Sequence, residues 1–189
     1  TKGVVGMNIM GVLTDYAKMV RAAAEEKIDI IFSGAGLPLD MPGLLPKGSN
    51  TKLVPIVSSA RAASLLIRKW IRNYKRAPDA LVVEGPKAGG HLGFSVEQIH
   101  DSAYALENLI PQVVAEAEAA EREHGVNIPV IAAGGIYTGE DIAKIMRLGA
   151  SGVQMATRFV TTDECDADLA FKQTYLDAKE EDIVIIKSP

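Results

Sequence analysis

The sequence predicts an α/β fold of the (β/α)8-barrel kind. Short apolar, β-rich runs recur along the chain, and stretches of helical period lie between them. The runs also lack strict apolar/polar alternation, as parallel strands buried on both faces should. Six such runs in succession suit a barrel better than a short doubly wound sheet.

The predicted strands cover residues 4–9, 28–32, 53–57, 80–83, 130–133 and 152–155. After the first, Thr14 reads as the N-cap of a helix with Tyr16, Met19, Val20 and Ala23 on one apolar stripe. A second stripe runs through Ala63, Leu66, Ile67, Trp70 and Ile71. Pro111 suits the first turn of a helix carrying Val113, Val114 and Ala117 that stops near Gly125. Thr138 with Asp141 reads as a capping box, and Gly149 as the stop of the helix that follows. Residues 183–189 read as one more extended segment.

A closed barrel of this type takes about 250 residues, and the chain has 189. The expectation is therefore one domain, residues 1–189, lacking about the first two βα units and forming a piece of a longer chain. Its open edges call for further strands or for a homo-oligomeric partner. Nothing in the sequence marks a second domain.

With 48% hydrophobic and 23% charged residues, the composition is that of a soluble globular domain. The net charge is −4, and the lysines and arginines read as scattered, so no basic field is expected for nucleic acid. The single cysteine, Cys165, excludes an internal disulfide, and no Cys/His set has metal-ligand spacing. No apolar run approaches the roughly 20 residues that span a bilayer. A reducing, cytoplasmic setting without membrane contact is the expectation.

In a parallel barrel the loops after the strands carry function. Gly134 and Gly135 stand between a buried strand and a helix, where bare backbone amides and the helix dipole favour an anion. Gln154, Met155, Ala156 and Thr157 end the next strand, from which amides and a hydroxyl can grip the same anion. The plainer alternative is a tight strand-to-helix turn. His91 differs from His100 and His124 because Gly89, Gly90 and Gly93 strip the chain around it. An imidazole there can exchange a proton near neutral pH or steady an anion. Cys165, among Asp163, Glu164 and Asp166, is a poor candidate for a catalytic thiol. The acidic run 116–123 reads as a solvated helix face, and residues 94–107 as a lid or substrate-contact loop.

The string Gly85-Pro86-Lys87-Ala88-Gly89-Gly90-His91-Leu92-Gly93 resembles the nitronate monooxygenase family, formerly the 2-nitropropane dioxygenases. So do residues 130–136, residues 152–159, Asn8 within Met7-Asn8-Ile9-Met10, and Ser33-Gly34-Ala35-Gly36. The resemblance covers essentially the whole chain. It implies FMN across the strand ends of a TIM barrel, with Asn8, Glu84 and Gly89 lining the flavin. Gly134, Gly135, Gln154, Met155, Ala156 and Thr157 would hold its phosphate, and His91 would face a small nitronate that O2 helps convert to a carbonyl compound and nitrite. Two positions depart from many relatives: Glu84 stands where they have Gln, and Ala156 where they have Gly. The family's early Gly-rich flavin segment would precede Thr1. A flavin-dependent enoyl-acyl-carrier-protein reductase resembles the same loops and has a glutamate like Glu84, whereas Gly85-Pro86 and the closing Ile186-Lys187-Ser188-Pro189 favour the monooxygenase. A non-catalytic ligand-binding barrel is the third expectation.

Overall fold

The β-rich runs become six strands in the computed structural model, which describes residues 3–186. They are β1 (Gly6–Asn8), β2 (Ile30–Ser33), β3 (Lys52–Val57), β4 (Leu81–Glu84), β5 (Val130–Ala133) and β6 (Gly152–Gln154). All neighbours pair in parallel, in the order β1-β2-β3-β4-β5-β6. Because that order follows the chain and never reverses, the sheet is singly wound like a barrel wall and has no topological switch point. The architecture is a partial TIM barrel.

Both faces of this sheet are apolar, which is why the runs do not alternate. Ile31, Leu53, Leu81, Val83, Val130 and Ala132 join the helix-side core. Val54, Val82 and Ala133 form a second cluster with Ile30, Phe32, Ile56 and Ile131, on the side that faces the barrel interior. By the two-residue period of a strand, Asn8, Glu84 and Gln154 also belong to that inner side.

The helices are α1 (Tyr16–Glu25), α2 (Ala60–Tyr74), α3 (Val96–Ile99), α4 (Leu106–His124), α5 (Gly139–Arg147), α6 (Thr157–Val160) and α7 (Leu169–Asp177). On α2 the expected stripe is buried through Ala63, Leu66, Ile67 and Trp70, with Ile71 packed at its edge. On α1, Val20 and Ala23 are buried, but Met19 lies on the exposed side. Gly125 caps α4 in the left-handed region, φ 67°, and Gly149 follows α5 with φ 101°. Thr138 and Asp141 form the expected reciprocal capping box.

Several expectations change. The cap of α1 is Asp15, not Thr14, and it makes no side-chain cap bond; its carboxylate pairs instead with Lys18 at 2.7 Å. Pro111 lies inside α4, whose buried Leu106, Leu109 and Ile110 start the helix a turn earlier than the proline would. The connection from β2 to β3 contains a 3-10 turn, Met41–Leu44, and no α-helix. Fully buried Met41 anchors it, and the Trp70 indole donates to the Pro38 carbonyl at 3.1 Å. Residues 94–107 are no bare loop: α3 has a Ser95/Gln98 capping box, and a 3-10 turn, Ser102–Tyr104, leads into α4. Residues 183–186 have no regular secondary structure, and the remainder of the expected closing segment, residues 187–189, lies outside the described residues.

Asp79 secures the start of the central strands. Its carboxylate accepts from the Leu53 amide at 2.9 Å and pairs with Arg76 at 2.7 Å and Lys52 at 2.9 Å, while its own amide donates to the Leu53 carbonyl. Burial alone would raise its pKa, but the Leu53 amide, Arg76 and Lys52 outweigh it and hold the carboxyl below its ordinary value of 3.8. Stability from this clamp is present above the unfolded value and fades as pH falls through the folded one. Asp79→Asn should therefore lower unfolding stability at pH 7 by about 1.5–3 kcal/mol. In urea titrations the gap to wild type should narrow below pH 4, and a pH-independent gap would refute the assignment.

Candidate active site at the carboxyl ends of the strands

Because the six strands run in one direction, the loops after them emerge along one edge. In the registers of β4, β5 and β6, Glu84 stands beside Ala133 and Ala133 beside Gln154, forming one inward row. Above it, two loops touch. A Cβ at Gly134 would stand 2.9 Å from the Ala88 amide nitrogen and 3.2 Å from the Gly85 carbonyl, and Lys87 packs against Gly135 in the same way. Both glycines have positive φ, 100° and 75°. The close approach and the left-handed backbone each require glycine. The tight-turn alternative thus has a definite cause, the contact with residues 85–88.

The loop carrying His91 is pinned at both ends. The Ala88 amide donates to Gly85, and the Gly85 amide to the Ala133 carbonyl at 2.9 Å. At the far end the Ser58 hydroxyl, just past β3, donates to the Gly93 carbonyl at 3.2 Å. The segment therefore crosses from the β5 side to the β3 side over the end of β4. Gly89 and Gly90 lie along it with open space where a side chain would be. His91 is exposed beside them.

The β5–α5 and β6–α6 loops are tied together by Arg158, which donates to the Tyr137 carbonyl at 3.1 Å and lies 4.9 Å above the Tyr137 ring centroid. This tie joins the start of α6, next to the exposed Ala156 and Thr157, to the Tyr137 end of the β5–α5 loop. The amides of Gly135, Ile136 and Thr157 have no protein acceptor among the described residues. At the start of α5 the situation differs, since Asp141 accepts from the Tyr137 and Thr138 amides and so already occupies those donors. Met155 packs into the helix-side core, which leaves its backbone as the part available to a ligand.

Not every expected residue joins this group. Asn8 is exposed on β1, paired with Phe32 at the opposite edge of the sheet from Gln154. A cleft of about 290 Å3, lined by Lys87, Ile99, Leu106, Ile136 and Lys144, shares only Gly134 and Gly135 with the expected site. It lies between the approaches to α4 and α5 rather than over the inner row. Ser58 and Arg158 organise the loops but escaped the sequence reading, because their contacts are 35 and 21 residues away along the chain.

Glu84 is the one titratable group in the inner row. It is half-buried, its carboxylate makes no hydrogen bond or ion pair among the described residues, and it stands beside Ala133 in the ladder and two residues after buried Val82. Burial pushes its carboxyl above the ordinary 4.5. The folded state then holds its proton more tightly than the unfolded chain, so stability falls as pH rises from 4.5 through the folded value. Glu84→Gln should raise the melting temperature at pH 8 and leave it unchanged at pH 4; equal shifts at both would mean the carboxyl is not destabilised by burial.

A family model described as nitronate monooxygenase matches residues 1–189. A "Probable nitronate monooxygenase" of Staphylococcus aureus is 34% identical over 154 residues, which are 81% of this chain and 39% of that protein. The solved structure of FabK (M276A) from Thermotoga maritima superposes with a TM-score of 0.75 at 33% identity, over 94% of this chain and 52% of that one. The fold is also that of nitroalkane oxidase from Streptomyces ansochromogenes, with a TM-score of 0.64 at 24% identity, over 92% of this chain and 55% of that one. The chain thus spans about two fifths to one half of the length of these relatives. Its singly wound parallel sheet, its paired glycine loops and the match along its whole length make it a member of the nitronate monooxygenase family, a family of enzymes.

Proposed function

We propose that the protein is an FMN-dependent oxidoreductase that converts nitronates and O2 to carbonyl compounds and nitrite. The observation that carries this reading is the joining of two late loops by Arg158 and Tyr137, which gathers uncommitted amides at Gly135, Ile136 and Thr157. Amides without acceptors, drawn from adjacent loops at strand ends, suit a phosphate. Gly134, Gly135, Gln154, Met155, Ala156 and Thr157 would hold it. Asn8, Glu84 and Gly89 would line the ring system, for which the open surface at Gly89 and Gly90 leaves room. About two further βα units would complete the barrel.

When bound, FMN would supply the electron transfer that no side chain of this site can perform. The protein's own part is positioning. His91, at the crest of its pinned loop, would hold a nitronate oxygen by a hydrogen bond and take a proton when the substrate arrives as the neutral nitroalkane. The half-buried Glu84 and the apolar inner cluster would keep water from the far side. The single cysteine and the family assignment support a cytoplasmic location; among the described residues no helix is long and apolar enough to cross a membrane.

The similarity to FabK, together with the carboxylate at position 84, supports a second reading, an enoyl-acyl-carrier-protein reductase that uses a reduced nicotinamide. Anaerobic mixing of the flavin-loaded protein with propyl nitronate, or separately with NADH, distinguishes the two. Rapid flavin bleaching by nitronate with little response to NADH is expected, and the reverse pattern would establish the reductase. His91→Ala should retain flavin and lose at least tenfold in kcat/KM for nitronate, in line with the loss of a positioned acid–base group; undiminished turnover would remove His91 from the mechanism.

A further inference from the structure

The basic residues that read as scattered in the sequence are gathered in the structure. Between Asp40 and Asp79 there is no acidic residue, yet α2 and the two residues after it carry Arg61, Arg68, Lys69, Arg72, Lys75 and Arg76. All six line one groove of about 1010 Å3 between α2 and α4. Two are matched by acids outside it, Lys69 by Asp40 at 2.9 Å and Arg76 by Asp79 at 2.7 Å.

The other four, Arg61, Arg68, Arg72 and Lys75, are exposed and have no ion pair among the described residues. Spacings of seven and four residues put Arg61, Arg68 and Arg72 on one face of α2, and Lys75, the left-handed residue that caps the helix, extends the line to about 21 Å at 1.5 Å per residue. Like charges three and four residues apart on a helix repel. Arg68 bonds to Ser64, Arg72 to the Asn73 side chain and Lys75 to the Arg72 carbonyl, all neutral groups that leave the charges uncompensated. Leu65, half exposed, interrupts the stripe between Arg61 and Arg68. The facing wall on α4 presents Glu116 and Glu123.

A linear array does not converge on a small anion as a phosphate pocket would. The two glutamates oppose a continuous phosphodiester backbone, and Leu65 adds an apolar foothold. We propose that this groove docks an acidic amphipathic segment of another protein, whose spaced carboxylates meet Arg61, Arg68, Arg72 and Lys75 while an apolar side chain rests on Leu65. The groove follows the outer flank of the barrel and shares no residue with the strand-end site, so the proposal stands independently of the flavin reading.

The test uses fluorescence anisotropy of a labelled 15-residue helical peptide with Glu at positions 1, 8, 12 and 15, Leu at position 5, and Ala and Gln elsewhere. Saturable binding should weaken as salt is raised from 25 to 300 mM, since exposed charge pairs are screened. Arg68→Glu with Arg72→Glu should reduce affinity at least tenfold with an unchanged circular-dichroism melt, whereas Arg147→Glu, on α5, should leave it intact. Binding that is absent at low salt, insensitive to the double substitution, or weaker than that of a 15-nucleotide single-stranded DNA would overturn the proposal.

Discussion

The common direction of six hydrogen-bonded strands is the constraint on which the rest of the molecule depends. In a parallel ladder every strand ends on the same edge, so loops far apart in sequence emerge side by side. The register brings Glu84, Ala133 and Gln154 level although they span 70 residues of chain. Burial of apolar surface on both faces of the sheet, against the helices and toward the barrel interior, holds that register, because a one-residue slip would exchange the two sets of side chains.

The glycines at the strand ends meet a demand of the fold itself. Gly134 and Gly135 allow the β5–α5 turn to press against residues 85–88, and the same contact anchors one end of the segment that carries His91. Ser58 anchors the other end. Packing couples the two loops: a side chain at Gly134 would displace the loop that carries His91 as well as strain its own backbone. Gly89 and Gly90 differ, since nothing among the described residues crowds them. Their lack of side chains clears space instead of permitting a contact.

Charge is distributed as unevenly as the loops. The chain is acidic overall, yet its longest acid-free stretch supplies one flank of α2 with cations that have no ion pair among the described residues, while acids cluster on α4 and near the carboxyl end. The apolar stripe of α2 faces the core and its basic stripe faces solvent, so one helix both closes the barrel wall and presents a charged outer surface.

Local sequence is enough to specify the strand runs, the parallel class, the capping box at Thr138 and Asp141, and the glycine stops at Gly125 and Gly149. All of these are set by neighbours within a few residues, through burial period, capping geometry and backbone freedom. It also carried the family motifs, which named candidate site residues without ordering them in space. Long-range packing, in contrast, leaves the β2–β3 crossing without an α-helix, since buried Met41 and the Trp70–Pro38 bond hold that connection from a distance. Packing also sets Asn8 on the edge strand opposite Gln154, ties Arg158 to Tyr137, and aligns the α2 cations beside α4. Those outcomes rest on strand order and on packing between segments tens of residues apart, which local periodicity does not encode.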